Sequence, residues 1–182
     1  MRKMLLLALT AICACCIAMP AVAQNSIDQN QPNAFVYMAG FAQTDLAQSF
    51  QQTNGNITGA GIFLQPNIGG TDNVTITLWT ALPNAGGSIL ATGSAMGTQG
   101  QWVDVFWDYT VINPATTYYL VFTGNMTLGI AGDVNNPYPY GMVFANAGFN
   151  PFPDFDYAFR TWYAGAVPTE AHSWTDVKGL FR

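Results

Sequence analysis

The stretch of residues 101–122 constrains the fold more than any other part of the chain. It contains two segments in which core-type side chains recur at every second residue, with Val103, Val105 and Trp107 in the first and Tyr118, Leu120 and Phe122 in the second. Alternation with a period of two is the pattern of a β-strand that has one face on a core and the other facing outward. Residues 112–116 lie between the segments and include Pro114, which has no N–H to donate to a ladder. We therefore predict two strands joined by a turn, and interpret them as a hairpin of a β-sandwich.

The rest of the chain repeats this pattern. Short alternating runs follow one another at roughly ten-residue spacing, with Gly, Pro and Asn turns between them, which indicates a sandwich or barrel rather than βαβ units. The clearest run is Asn73–Trp79, where Val74, Ile76 and Leu78 share one face. No helical pattern interrupts these runs. We predict one all-β, antiparallel sandwich over residues 35–163, with a polar, loose arm over residues 24–34 and a separate tail over residues 164–182.

The first 23 residues have the features of a secretory signal peptide. Arg2 and Lys3 precede an apolar run over residues 4–19, and residues 21–23 supply small side chains before Gln24. This pattern is typical of an export signal and is too short for a spanning anchor. The chain's cysteines, Cys13, Cys15 and Cys16, all lie inside this segment. A lipoprotein signal is the alternative, although the residues before Cys15 match its motif less well than residues 21–23 match a cleavage site.

Composition narrows the classes of function. After cleavage the chain would carry ten acidic residues against three basic ones, Arg160, Lys178 and Arg182. An acidic surface of this kind argues against binding nucleic acid or anionic membranes. His172 is the only histidine and lies in the tail, so a Ser-His-Asp triad or a two-histidine zinc site is not expected. We predict that the protein is not an enzyme.

Paired carboxylates are the one catalytic alternative that the sequence leaves. A glycoside-acting enzyme needs two carboxyl groups that face each other across a cleft. Asp154 with Asp156, or Asp104 with Asp108, are the available pairs. Aspartate is also a common turn residue that hydrogen-bonds its own backbone, so neither pair is diagnostic.

Aromatic side chains carry the best binding hypothesis. If the alternation holds, five of them point away from the core: Phe63, Trp79, Phe106, Tyr119 and Trp162. Two more, Tyr138 and Tyr140, lie on a Pro-rich loop that could add to a rim. Exposed aromatic rings stack on the apolar faces of sugars, and a large apolar patch usually marks a contact surface. The alternative is that the five are divided between two sheets, or are covered by the arm or the tail.

Eight segments, taken in order, resemble a known type of module: Leu46–Phe50, Ile57–Leu64, Val74–Trp79, Leu90–Gly93, Gly100–Val105, Thr116–Val121, Asn136–Tyr138 and Tyr157–Trp162. Over residues 43–163 the chain is similar to the jelly-roll domain of bacterial secreted and surface proteins of the choice-of-anchor R type. The resemblance implies a β-sandwich like those of carbohydrate-binding modules, and it implies no ligand or catalytic residue. The chain ends without the LPxTG or Pro-Glu-Pro anchors of many members, in Ser173–Arg182.

Jelly rolls of this kind often hold a structural Ca²⁺ between their chain ends. Asp45, Asp154 and Asp156 flank the first and last strands that the resemblance covers, and carboxylate oxygens are what Ca²⁺ prefers. They are the candidate ligands, with turn aspartates as the alternative. No other cofactor is expected. The function that we expect is a secreted or cell-surface module that binds polysaccharide or cell-surface glycan, or acts in adhesion. The alternative is a structural surface or matrix protein that self-associates.

Overall fold

A computed structural model describes residues 24–165 of the chain. The signal-peptide prediction and the tail from residue 166 onward lie outside the described residues. The strands are β1 (Asn25–Gln31), β2 (Val36–Gly40), β3 (Leu46–Gln51), β4 (Asn56–Phe63), β5 (Thr71–Trp79), β6 (Ile89–Thr98), β7 (Trp102–Val111), β8 (Thr117–Gly124), β9 (Gly129–Asp133), β10 (Val143–Ala145), β11 (Asn150–Phe152), β12 (Asp156–Tyr157) and β13 (Phe159–Ala164). The helical content of this part of the chain is one 3₁₀ turn, Pro83–Ala85.

The strands form three sheets, in which every pair of neighbours is antiparallel. The four-stranded sheet has the order β1-β13-β4-β7, the six-stranded sheet β11-β10-β3-β8-β5-β6, and the three-stranded sheet β12-β9-β2. The predicted all-β class is therefore confirmed. Within residues 24–165, no helix is long and apolar enough to cross a membrane.

Inward-facing side chains of the two larger sheets meet in one apolar cluster. Ile62 and Phe159 come from the four-stranded sheet, and Ile76 and Leu120 come from the six-stranded sheet; all four are fully buried. The predicted alternation is confirmed at β5, β8 and β13, where buried apolar residues alternate with partly exposed ones, whereas β4 is buried along almost its whole length. The result is a sandwich-like arrangement, in which the outer face of each of the two larger sheets does not contribute to this core.

The predicted hairpin over residues 101–122 is wrong. Strand β7 pairs with β4 in the four-stranded sheet, whereas β8 pairs with β3 and β5 in the six-stranded sheet. The segment 112–116 therefore crosses from one sheet to the other, and the buried Ile112 anchors the crossing by donating its N–H to the Gly55 carbonyl at 3.2 Å. Period-two alternation shows which face of a strand is buried, but it does not identify the strand's partner.

The predicted loose arm over residues 24–34 is also wrong for most of its length. Strand β1 is the outer strand of the four-stranded sheet and pairs with β13. The polar side chains that suggested an arm have fixed partners: the buried Gln31 donates to the Tyr157 carbonyl at 3.1 Å, and the Asp28 carboxylate accepts the N–H groups of Thr53 and Asn54 at 3.0 and 2.7 Å. Satisfied polar side chains allow this strand to pack without an apolar sequence.

Candidate functional site

The five outward aromatic residues lie on two different sheets. Phe63, Phe106 and Trp162 lie on β4, β7 and β13 of the four-stranded sheet, whereas Trp79 and Tyr119 lie on β5 and β8 of the six-stranded sheet. None of the five belongs to the buried core, so their outward orientation is confirmed. They do not form one platform, because the core separates the outer faces of the two sheets.

On the four-stranded sheet, the three aromatic residues are joined into a continuous row by Trp102 and Arg160. The ring centroids of Phe63 and Trp102 are 5.6 Å apart, and so are those of Phe106 and Trp162. The guanidinium of Arg160 lies between these pairs, 4.3 Å from the Trp102 ring and 5.1 Å from the Trp162 ring. A cation at such distances is attracted to both ring faces. We call Phe63, Trp102, Arg160, Trp162 and Phe106 the aromatic ladder.

Asp104 holds the ladder in place. One carboxylate oxygen accepts the Arg160 Nε–H at 2.7 Å and the Trp162 indole N–H at 3.1 Å, and the other oxygen forms an ion pair with Arg160 Nη2. The Arg160 and Asp104 side chains are 19% and 21% exposed. A bidentate pair of this kind fixes the planar guanidinium, which in turn fixes the rings that stack on it. The charge of the Arg160 guanidinium is therefore neutralised by Asp104, and the rings are held in position without a ligand.

Two glycines on β4, which lies between β13 and β7, make this arrangement possible. The register places Gly59 between Trp162 and Phe106, and Gly61 between Arg160 and Asp104. A Cβ atom on Gly59 would lie 2.7 Å from the Phe106 ring, and one on Gly61 would collide with the Asp104 carboxylate. Without side chains on β4, groups from β7 and β13 meet across it. The alternation of glycine at residues 59 and 61 is visible in the sequence, but the sequence does not show which strands supply the groups that meet there.

The ladder is accessible at its surface. Phe106 is 50% exposed, and Phe63, Trp102 and Trp162 are half-buried. The neighbouring edge strand extends the apolar surface, because Ile27 pairs with Trp162 and is 41% exposed. Trp102 precedes Val103 in the alternating run and therefore faces outward, but it is not among the binding candidates predicted from the sequence. Its role depends on the pairing of β7 with β4, which the sequence did not reveal.

The outer face of the six-stranded sheet has a less continuous set of aromatic rings. Trp79 and Tyr119 are paired across β5 and β8, and Tyr119 packs edge-on against Phe144 with centroids 5.7 Å apart. The next two residues on the same face of β5 are Thr77 and Thr75, which have no aromatic ring. This face has no charge clamp comparable to Arg160 with Asp104 among the described residues, since Arg160 is the only basic residue in that part of the chain.

Tyr138 does not lie on an exposed rim, and that expectation is wrong. It is 6% exposed, packs edge-on against Phe159 with centroids 5.0 Å apart, and accepts the Gln51 N–H at its phenol oxygen at 3.2 Å. Burial raises the pKa of the Tyr138 phenol to about 12. Tyr140 is 62% exposed and packs against the edge of Tyr138. The loop folds back over the sandwich edge, so that only its second tyrosine remains at the surface.

The three candidate calcium ligands are not brought together. The Asp45 carboxylate accepts the Gly148 N–H at 2.6 Å, and Asp154 is exposed in a turn. Asp156 is buried and its two oxygens accept Gln48 Nε2 at 2.8 Å and the Tyr138 N–H at 3.0 Å. Within residues 24–165 no group of three or more His, Cys, Asp or Glu side chains is placed to hold a metal ion. The Asp45 and Asp156 carboxylates instead accept hydrogen bonds from nearby loops and strands, as aspartates at turns and strand ends commonly do.

The carboxylate pairs considered for glycoside chemistry do not face each other across a cleft. Asp156 is buried while Asp154 is exposed, and Asp104 is held by Arg160 while Asp108 is exposed. Burial raises the pKa of the Asp156 carboxyl, and the nearby Asp133 charge adds to this, although hydrogen bonds from Tyr138 and Gln48 oppose it. Its protonation state therefore concerns the fold rather than a surface reaction.

Comparison with known proteins does not assign the chain to a family. No protein-family model matches the chain, and no curated protein matches it. The aromatic ladder therefore carries the functional argument.

Proposed function

We propose that this protein is an exported, non-catalytic jelly-roll module that binds a neutral glycan chain through the aromatic ladder. The observation that carries the proposal is the continuous row of four aromatic rings on the outer face of the four-stranded sheet, clamped by Arg160 and Asp104. Export and placement at the cell surface rest on the signal-like residues 1–23 and on the resemblance to secreted bacterial jelly-roll modules.

The chemistry of the ladder suits the apolar face of a sugar. A pyranose presents C–H groups on its faces, which pack against flat aromatic rings, while its hydroxyls remain in water. Because Arg160 and Asp104 hold the rings in position, binding would order few side chains, and the entropy cost of binding stays small. The rows at residues 59, 61 and 63 of β4 span about 13 Å at the rise of a strand, which suits an oligosaccharide rather than one sugar.

Charge favours a neutral glycan over an acidic one. Residues 24–165 contain eight aspartates and one basic residue, Arg160. The positive charge of Arg160 is already paired with Asp104, so it offers no free cation to a uronate or a sulfate. The summed field of the aspartates would repel a polyanion at low ionic strength. Neutral glucans, mannans and xylans are therefore the expected class of ligand.

A screen against immobilised neutral and acidic polysaccharides tests the proposal. We expect saturable binding to a neutral polysaccharide that Trp162→Ala weakens at least tenfold, the change expected when an aromatic anchor worth about 1.4 kcal/mol or more is removed. Trp79→Ala on the other sheet is the matched control and should leave binding unchanged. Binding only to acidic polysaccharides, or equal losses in both variants, would contradict the proposal.

A second candidate function, self-association in a surface structure, is favoured by β6. This outer strand of the six-stranded sheet is ten residues long and contains neither a charged residue nor proline. It exposes Ile89 and Met96, which are 57% and 65% exposed. Natural outer strands are usually protected by charges or proline, and an unprotected one can pair with a second copy.

Sedimentation over a range of protein concentrations tests this second candidate. A second copy paired through β6 would give a mass that falls on dilution, and Met96→Lys should favour the monomer because it places a charge on the outer strand. A mass that does not change with concentration, or an assembly that Met96→Lys leaves intact, would exclude this use of β6.

A further inference from the structure

A groove of about 310 Å³ lies at one edge of the sandwich and shares no residue with the aromatic ladder. Strand β1 of the four-stranded sheet and the end of β3 of the six-stranded sheet both contribute to it, together with two loops. Its wall consists of Gln29 on β1, residues 51–53 at the end of β3, Pro114 and Ala115 in the crossing segment, and Tyr140 in the Pro-rich loop. The fold therefore brings these residues together from distant parts of the sequence.

Two polar side chains of this wall keep accessible hydrogen-bonding groups. Gln51 is half-buried and donates its Nε2 to Thr117 Oγ1 at 3.3 Å, whereas its Oε1 has no partner among residues 24–165 and is not buried. Thr53 is exposed, and its hydroxyl oxygen accepts Gln29 Nε2 at 3.0 Å. Because a hydroxyl both donates and accepts, Thr53 can still donate its own hydrogen. The groove therefore offers an acceptor and a donor to a ligand that carries hydroxyl groups.

The groove also has accessible apolar surface. Tyr140 is 62% exposed, and its ring packs against Tyr138 with centroids 6.0 Å apart and an angle of 75° between the ring planes. Most of the Tyr140 ring is therefore free to contact a ligand. Pro114 and Ala115 are exposed beside it in the wall. An aromatic ring next to amide and hydroxyl groups suits a sugar, which has C–H groups on its faces and hydroxyls at its rim.

The buried Tyr138 holds two parts of the wall in place. Its phenol oxygen accepts the Gln51 N–H at 3.2 Å, and its hydroxyl donates to Gln29 Oε1 at 3.0 Å or to the Gln51 carbonyl at 3.1 Å. In the crossing segment, the Ala115 N–H donates to the Gln52 carbonyl at 3.0 Å. Ala115 has a φ of 57°, and a residue other than glycine keeps this strained conformation only where its surroundings hold it. The groove is therefore formed without a ligand.

Charge around the groove favours a neutral ligand. The Asp28 carboxylate lies next to the wall, because it accepts the Thr53 N–H at 3.0 Å and also accepts Gln29 Nε2. Arg160 is the only basic residue among residues 24–165, and it is paired with Asp104 in the aromatic ladder. An acidic sugar would therefore meet a carboxylate and no free cation.

We propose that this groove binds the terminal pyranose ring of a neutral glycan, with the sugar ring stacked on Tyr140 and its hydroxyls bonded to Gln51 and Thr53. The volume suits one sugar: a cavity of about 150 Å³ holds benzene, so about twelve non-hydrogen atoms fit here, the number in a hexose. The groove and the ladder share no residue, so that each site can bind without the other.

The methyl glycosides of glucose, mannose and galactose are suitable probes, because each has a fixed pyranose ring and resembles the end of a glycan chain. In a titration of the purified protein, at least one of them should shift the amide NMR signals of Gln51, Thr53 and Ala115 to saturation, with a dissociation constant of about 1–10 mM. The corresponding uronate should bind at least fivefold more weakly. The indole signals of Trp102 and Trp162 report on the ladder separately, so that failure at one site is distinguishable from failure at the other.

Two variants test the roles of the wall residues. Tyr140→Ala should weaken binding of the methyl glycoside at least fivefold, because it removes the stacked ring. Gln51→Met keeps the length of the side chain and should weaken binding about fivefold, because it removes a hydrogen bond. Tyr109→Ala is the matched control for the tyrosine, since Tyr109 is 61% exposed on β7 and does not line the groove. It should leave the affinity unchanged.

Three outcomes would overturn the proposal. The first is that none of the methyl glycosides gives saturable shifts at the groove residues. The second is that Tyr140→Ala and Gln51→Met both leave the affinity unchanged, and the third is that Tyr109→Ala weakens binding as much as Tyr140→Ala does.

Discussion

Replacing Asp104 by asparagine removes the clamp of the aromatic ladder without changing its shape. The carboxylate accepts three side-chain hydrogen bonds, two from Arg160 and one from Trp162. A fully exposed ion pair contributes about 0.2–1 kcal/mol, whereas breaking a buried one costs about 3–5 kcal/mol. Because the two charged side chains are 19% and 21% exposed, the expected loss lies between these limits. We expect Asp104→Asn to lower the free energy of unfolding by about 2 kcal/mol.

Arg160→Met removes the same ion pair from the other side and also removes both ring contacts. Each cation–π contact at a partly exposed site contributes about 0.5–1 kcal/mol, so the expected loss is about 3 kcal/mol. In the double variant neither charge is left without its partner. The double variant should therefore lose less than the sum of the two single losses, with a coupling energy of about 1.5 kcal/mol.

Urea unfolding followed by far-ultraviolet circular dichroism measures these values, with an unchanged slope as evidence that only stability has changed. Asp108→Asn is the matched control, because Asp108 lies on the same strand and is exposed. It should change the free energy of unfolding by less than about 0.5 kcal/mol. If Asp104→Asn costs no more than this control, and the coupling energy is near zero, the reasoning about a fixed ladder is refuted.

Two further predictions concern the fold around the ladder. Gly61→Ala should lower the free energy of unfolding by about 2 kcal/mol, because the added Cβ collides with the Asp104 carboxylate. Gly70→Ala is the control, because Gly70 has open space around it, and it should cost less than about 1 kcal/mol. Urea unfolding measures both variants, and equal costs would contradict this prediction. For Asp28, burial alone would raise the carboxyl pKa, but hydrogen bonds from Asn54, Thr53 and Gln29 hold it below its ordinary value. Its contribution to stability is therefore present above that ordinary value and is lost as pH falls through the lower folded pKa. Asp28→Asn should flatten the acid side of the stability curve, and an unchanged acid slope would show that this carboxylate is not held as described.

The local pattern of the sequence predicted the facing of the strands well. Alternation placed Val74, Ile76 and Leu78 on the core, and placed Trp162 on the outside, as the structure shows. Burial of one face is a property of each strand alone, so it can be read from side-chain order. This is why the separate aromatic positions of the site could be predicted.

What the sequence could not supply was the pairing of those strands. The segments around Val105 and Leu120 look like a hairpin, yet they belong to opposite sheets, because strand order depends on contacts between distant residues. The partnership of Trp102 with Arg160 depends on that order. The prediction for Tyr138 was wrong for a related reason, since nothing in the sequence of its loop shows that the phenol oxygen accepts the Gln51 N–H.

The central claim, that the aromatic ladder binds a neutral glycan, is tested most directly by the indole N–H signals of the tryptophans in solution NMR. A neutral oligosaccharide titrated into the protein should shift the signals of Trp102 and Trp162 together and to saturation. The signal of Trp79, on the outer face of the other sheet, should not move. Saturable shifts of Trp79 alone, or binding of the oligosaccharide that leaves both ladder indoles unchanged, would contradict the account.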